Sequence, residues 1–191
     1  VSQRAILLAV RDRLRQPPAD GGLGYQPKEC AVMFDGQPPP WAGERFVAVW
    51  AGPWVGHDLE GLEEEFGIFV TVSMRAARIP PDRLGESLIA GPPGQSLDEV
   101  LRAIVAKLHM DPGPIAVGNP GQYPVLALAN ATIGAGENGF VEPLRFKDGG
   151  RPEEKGPEWW WAEPAQGAPA GIVQTLTFGG ARRVQVIEEQ S

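Results

Sequence analysis

The segment Phe66–Arg75 constrains the fold more tightly than any other part of the chain. Ile68, Val70, Val72 and Met74 fall on one side of an extended strand, while Phe69, Thr71, Ser73 and Arg75 fall on the other. Successive strand side chains point to opposite faces, so this alternation predicts a sheet covered on one side and solvated on the other. Phe46–Ala51 is apolar on both faces, with Val47 and Val49 on one and Phe46, Ala48 and Trp50 on the other, which suits a central strand. Cys30–Phe34 is a short apolar run of weaker strand character.

Two helices stand out as cover for such a sheet. In Ser2–Arg15, Ile6, Leu7, Val10 and Leu14 recur at helical spacing among Arg4, Arg11, Asp12 and Arg15, and Pro17-Pro18 ends the run. Ser96-Leu97-Asp98-Glu99 is a capping box, in which Ser96 caps and Glu99 reaches back. The stripe Val100, Leu101, Ile104, Val105 and Leu108 follows, and Pro112 ends it. A shorter helical segment opens at Pro80-Pro81-Asp82-Arg83 and runs to Leu88, with Pro in a tolerated first-turn position.

The last third predicts strands at Val125–Ala129, Phe140–Phe146, Ile172–Phe178 and Arg183–Ile187, with Gly179-Gly180 turning the final pair into a hairpin. Gly and Pro number 25 and 20 of 191 residues and fall between the apolar runs, so the connections are long loops. The expectation is an α+β fold, a mainly antiparallel sheet packed by two principal helices, in one domain spanning residues 1–191. Lys147–Ala170, rich in Pro, Gly and charge, is expected to be a long loop excursion.

Charge and cysteine usage narrow the function classes. A net charge of −7 without clustered Lys and Arg argues against a nucleic-acid surface. Cys30 is the one cysteine, so no internal disulfide forms and intracellular assembly is the natural setting. No apolar run reaches the roughly 20 residues of a membrane span, and the N-terminal stretch does not resemble a signal peptide. Without secretion, the sequon Asn130-Ala131-Thr132 carries no meaning.

Catalytic chemistry finds little footing. His57 lies in a loop, and His109 ends the capped helix, where a cation also suits the helix dipole. Cys30 is read as a buried apolar filler. The histidines lack a second ligand at metal-binding spacing, and Glu63-Glu64-Glu65 lacks the alternation and turn of a calcium loop, so the acidic run Leu59–Glu65 reads as exposed. Gly134–Gly139 fits G-x-G-x-x-G formally, but Phe140-Val141-Glu142-Pro143 follows it as strand, so it reads as a turn rather than a cofactor site. No catalytic residue, cofactor or metal is assigned.

Trp159-Trp160-Trp161 is the most informative oddity, three large apolar rings inside a polar segment. Three adjacent rings do not all point one way. Either all three pack within the domain, or some anchor the loop on the sheet and others meet a partner, since Trp is enriched at interface hot spots. A carbohydrate- or base-stacking platform is the remaining reading. Trp41, in the Pro-rich loop Asp35–Gly43, joins them as an interface candidate.

The order of elements has a counterpart in a known family. An amphipathic N-terminal helix, the strand Phe46–Ala51, an acidic loop, a long strand ending Val70-Thr71-Val72-Ser73-Met74-Arg75, the segment Pro80-Pro81-Asp82-Arg83-Leu84-Gly85 and a second helix follow in turn. This order resembles the tail terminator and related neck or tail-completion proteins of long-tailed bacteriophages, over Ser2–Leu108 and the final hairpin. The resemblance implies a non-enzymatic virion protein, assembled in the host cytoplasm into a ring, typically hexameric, where tail meets head. Its partners would be copies of itself and adjoining tail or head-connector proteins, with DNA only as passing channel content and no membrane. The alternatives are another head-completion or baseplate-proximal subunit and, from a different class, a small hydrolase using His57 or His109.

Overall fold

The alternating segment lies inside a longer strand whose two faces are both used. A computed structural model of the chain describes residues 3–52, 63–76, 83–109, 144–161 and 170–183. The elements are α1 (Gln3–Arg15), β1 (Cys30–Val32), β2 (Arg45–Ala51), β3 (Glu63–Ala76), α2 (Leu84–Ile89), α3 (Leu97–Leu108), β4 (Arg145–Asp148), β5 (Glu153–Lys155) and β6 (Ala170–Arg183). Short 3-10 turns occupy Pro18–Asp20 and Pro157–Trp160. The fold is α+β, with one sheet ordered β1-β2-β3-β6-β4 and β5 also paired to β6. Every pairing is antiparallel except β1 with β2.

The helices cover one face. Phe66, Ile68, Val70, Val72 and Met74 of β3 share that face with Val47 and Val49 of β2 and with Ile172, Leu176 and Phe178 of β6, and all are buried. α1 packs on the β1–β2 side and α3 on the β3–β4 side. Their predicted stripes are the buried ones: Ile6, Leu7, Val10 and Leu14 in α1, and Val100, Leu101, Ile104 and Leu108 in α3. α1 also buries a charge. Arg13 is 1% exposed and donates to Gln16 Oε1 at 2.9 Å and to the Asp20 carbonyl at 3.2 Å, so it clamps the helix to the turn that follows. Gly21, at φ +84°, closes that turn with its Cα against the guanidinium, where a side chain would be strained and crowded.

The capping box forms as read. Ser96 Oγ accepts from the Glu99 N–H at 3.3 Å and donates to Glu99 Oε2 at 2.8 Å, while the Gly94 N–H also reaches that oxygen at 2.6 Å. The Ser96 hydroxyl and these backbone donors hold the Glu99 carboxyl below the usual carboxylate range.

Four expectations change. Gly179-Gly180 does not turn a hairpin, because β6 runs straight through it to Arg183, opposite Gly67 and Phe66 of β3. The glycines make room instead. A Cβ on Gly180 would lie 2.8 Å from the Phe66 ring, and one on Gly179 would lie 2.9 Å from Lys147 Cε. Lys147–Ala170 is not one long loop, since Lys147-Asp148 ends β4, and β5 and a 3-10 turn occupy Glu153–Trp160. The strand expected from Phe66 starts earlier, because Glu63–Glu65 open β3, and Glu65 is exposed as read. Finally, the sheet is not solvated on its second face, where Thr71 is 1% exposed and Ser73 is fully buried. Val125–Ala129, Gly134–Gly139, His57, residues 80–82, 140–143 and 184–187 lie outside the described residues.

Ser96→Ala should cost about 1 kcal/mol, the usual worth of an N-cap side chain, read as a lower urea midpoint at unchanged slope. Because Glu99 is held low in the folded state, its contribution is present above the ordinary carboxylate range and is lost as pH falls through the depressed value. Glu99→Gln should therefore flatten the acid limb of stability against pH.

Candidate interaction surface

The layer over the second face begins with a topological demand. Parallel strands cannot be joined by a tight turn, so the connection from β1 to β2 must run back along the sheet. With α1 on the helical side, the segment Met33–Glu44 crosses the other face. Its contact with the sheet is close, since a Cβ on Gly36 would lie 2.7 Å from Thr71 Oγ1. The Gln37 N–H donates to Asp35 Oδ1 at 2.9 Å and the Ala42 N–H to the Pro39 carbonyl at 2.9 Å, giving the loop local turns.

The hydroxyls beneath this layer are hydrogen-bonded. Trp50 Nε1 donates to Thr71 Oγ1 at 2.9 Å, and Thr71 Oγ1 lies 2.8 Å from Thr175 Oγ1 directly across the β3–β6 pair. Trp159 Nε1 donates to Ser73 Oγ at 3.2 Å. Leaving such buried groups unpartnered would cost about 1–3 kcal/mol each, so the indole donors are what makes covering this face tolerable.

The Trp triplet splits three ways because of its backbone. Adjacent side chains of a 3-10 turn point about 120° apart. Pro157 starts the turn and Trp161, at φ 59°, ends it. Trp159 turns onto the sheet, with Lys155 Nζ 5.1 Å from its ring centroid. Trp160 is buried against Gly171, where a Cβ would lie only 2.2 Å from the ring. Its indole N–H has no hydrogen-bond partner among the described residues. Burying roughly 200 Å² of aromatic surface is worth roughly 5 kcal/mol, which outweighs the roughly 1–3 kcal/mol lost at that N–H.

Trp161 is 60% exposed, and its Nε1 donates to the Pro38 carbonyl at 2.6 Å. Gln37 Nε2 donates to the carbonyls of Glu158 and Trp159 at 3.3 and 3.2 Å. The two segments singled out in the sequence are thus joined to each other over the sheet. From this joined layer three large apolar side chains reach solvent: Trp161, Trp41 at 58% exposure and Phe34 at 99%. Trp41 also meets Phe46 edge-on, with centroids 5.8 Å apart. The sequence reading missed Phe34 by assigning it to a strand, but β1 ends at Val32 and the chain leaves the sheet before Phe34. The signal available was its place directly before the Asp35-Gly36 turn.

Of the residues weighed for catalysis, Cys30 lies on β1 and His109 beside β4, at opposite ends of the sheet order, and His57 lies outside the described residues. Cys30 is fully buried and burial pushes its thiol up to about 12, against the opposing pull of Arg15. Its carbonyl accepts from Arg15 Nε at 2.8 Å and from Arg15 Nη2. His109 Nδ1 accepts from the Phe146 N–H at 2.9 Å, tying the end of α3 to β4. Among the described residues, no three His, Cys, Asp or Glu side chains are grouped to hold a metal ion. No helix among the described residues is long and apolar enough to cross a membrane. No protein-family model matches the sequence, and no curated protein matches it significantly.

Trp160→Ala should destabilise the protein by about 3–5 kcal/mol, as for other buried large aromatics, measured by chemical denaturation. Ellman's reagent should leave Cys30 unlabelled in the native protein and label it after unfolding, because a buried, protonated thiol does not attack.

Proposed function

We propose that this chain is a structural subunit that assembles with copies of itself into a ring, as tail terminator or neck proteins of long-tailed bacteriophages do where tail meets head. The observation that carries the reading is the aromatic layer. Phe34, Trp41 and Trp161 are exposed together on a layer already tied down by hydrogen bonds. Trp161, bonded to the Pro38 carbonyl, and Trp41, edge-on to Phe46, are held in place and lose little entropy when a partner covers them, and such residues dominate interface energies. A ring subunit needs a surface that meets a different surface on its neighbour. Among the described residues, the sheet face under the helices is taken up by the subunit's own core, whereas the loop layer leaves aromatic rings outward.

The order α1, β2, β3, α2, α3 is the part of the resemblance that speaks for the phage setting, while the final hairpin it also included does not turn at Gly179-Gly180. In that setting the adjoining partners are tail and head-connector proteins, and the location is the virion. The net charge of −7 suits a channel through which DNA passes without being held, since like charges repel.

Sedimentation velocity and negative-stain electron microscopy test the proposal. Rings should appear at micromolar concentration or on mixing with a neck or tail protein from the same particle. A stable monomer at high concentration, with neither ring nor co-assembly, would overturn it. Phe34→Ser should leave the melting temperature unchanged, because the side chain packs on nothing within the subunit, yet should weaken assembly about ten-fold or more.

A further inference from the structure

At the Arg75 end of β3, a cleft of about 750 Å³ opens between the loops before β1 and β2 and the α2–α3 connection. Its size is that of a small-molecule pocket, which typically runs to roughly 300–1,000 Å³. Four of its lining side chains sit deep. Met74 and Leu88 are apolar and buried, and Arg45 and Arg75 bring half-buried guanidinium groups. Trp41 and Pro92, both exposed, add apolar surface at the rim beside Lys28 and Glu44.

The deep cations are short of acceptors. A guanidinium donates from several N–H groups and accepts from none. Arg45 Nη2 donates to Glu29 Oε1 at 2.9 Å, while Arg45 Nε is buried without a partner among the described residues, so Glu29 covers one corner of that group. Glu29 is itself engaged, since it also accepts from the Gln26 N–H at 3.0 Å. Burial raises its pKa, but these hydrogen bonds outweigh burial and hold it below the usual carboxylate range. The Arg75 guanidinium meets the Trp160 ring, 5.9 Å from its centroid, and among the described residues no carboxylate or carbonyl accepts from it.

Both groups are already positioned. The Arg45 guanidinium lies 4.9 Å from the Tyr25 ring centroid, and the Arg75 backbone N–H donates to the Glu44 carbonyl at 2.6 Å. Lys28, Arg45 and Arg75 face Glu29 and Glu44 on the lining, an excess of one positive charge on a chain whose overall charge is −7. A singly charged anion balances that excess, whereas a dianion would bring unpaired charge beside Glu44. An inorganic anion would occupy a small part of the cleft and leave Trp41 uncovered, so the acceptor belongs to a larger, apolar molecule.

We infer that the cleft is a binding site for a small carboxylic acid with a flat apolar body. The carboxylate takes the unused donors of Arg75, whose planar fork matches it in two parallel hydrogen bonds. The body lies against Trp41 over Met74 and Leu88, where ring contact and apolar burial add to the charge. The site lies within one subunit and does not rest on the ring reading.

Saturation-transfer NMR observed on the ligand tests it in the full chain, with a readout that serves a monomer and a ring alike. Cinnamate, a carboxylate on a flat apolar body, should bind saturably with a Kd in the low millimolar range or tighter. Cinnamamide, its neutral counterpart, should bind at least about ten-fold more weakly. Acetate and inorganic phosphate, which lack the body, should displace cinnamate at least about ten-fold less well than unlabelled cinnamate displaces a deuterated sample. Arg75→Gln should weaken cinnamate at least about ten-fold, and Arg75→Lys nearly as much, because the fork is lost while the charge is kept. Trp41→Ala should weaken it about three-fold or more. Equal binding of the amide would overturn the inference by showing an apolar hollow, and equal competition by acetate or phosphate would overturn it by showing a plain anion site. Absence of saturable binding, or cinnamate binding that ignores a folded Arg75→Gln variant, would do the same. The ligand comparisons use the wild-type chain, so they decide the matter even if Arg75→Gln does not fold.

Discussion

All fourteen residues of β3 pair with β6, and the pair has two faces of opposite chemistry. One is a continuous apolar strip that two amphipathic helices cover. The other carries Thr71 and Ser73, hydroxyls that can be buried only if each finds a partner, with half-buried Thr175 bonded to Thr71. The rest of the structure depends on how that second face is closed. Trp50 and Trp159 bring indole donors to it, and Gly36 brings its backbone so close that a Cβ there would lie 2.7 Å from Thr71 Oγ1. The loop layer is therefore held by hydrogen bonds as much as by apolar burial.

The parallel pairing of β1 with β2 has consequences beyond two short strands. It sends Met33–Glu44 across the sheet and so places Phe34, Gln37, Pro38 and Trp41 over the same face that the Trp triplet reaches from the far end of the chain. Each segment fixes the other: Gln37 holds the carbonyls of the 3-10 turn, and Trp161 holds the carbonyl of Pro38. The surface is thus assembled from two segments distant in sequence, with apolar rings left outward.

Local signals in the sequence translated well where neighbouring residues alone decide the outcome. The Ser96–Glu99 cap, the stripes of α1 and α3 and the alternation in β3 all rest on spacing of a few residues. They failed where a distant residue decides. Gly179-Gly180 has the composition of a turn, but Phe66 and Lys147 occupy the space that side chains would need. The polarity of Thr71 and Ser73 suggested a solvated face because the cover comes from segments on either side of them in the chain. His109 was legible as a helix end, and its bond to the Phe146 backbone was not.

The sequence by itself determined the α+β class, the two principal helices and their buried stripes, the central strands and the burial of Cys30, because periodicity and capping act over one or two turns of chain. It also marked Trp41 and Trp159–Trp161 as unusual, without saying which rings face inward. Only the tertiary structure decided that Trp160 is an internal wedge, Trp159 a donor to the sheet and Trp161 an outward group, since that division depends on a 3-10 turn set against Gly171, Ser73 and Pro38. It alone revealed Phe34 as exposed and brought Lys28, Arg45 and Arg75 to one cleft. Those placements follow from strand register and crossover, which depend on contacts between residues far apart in the chain.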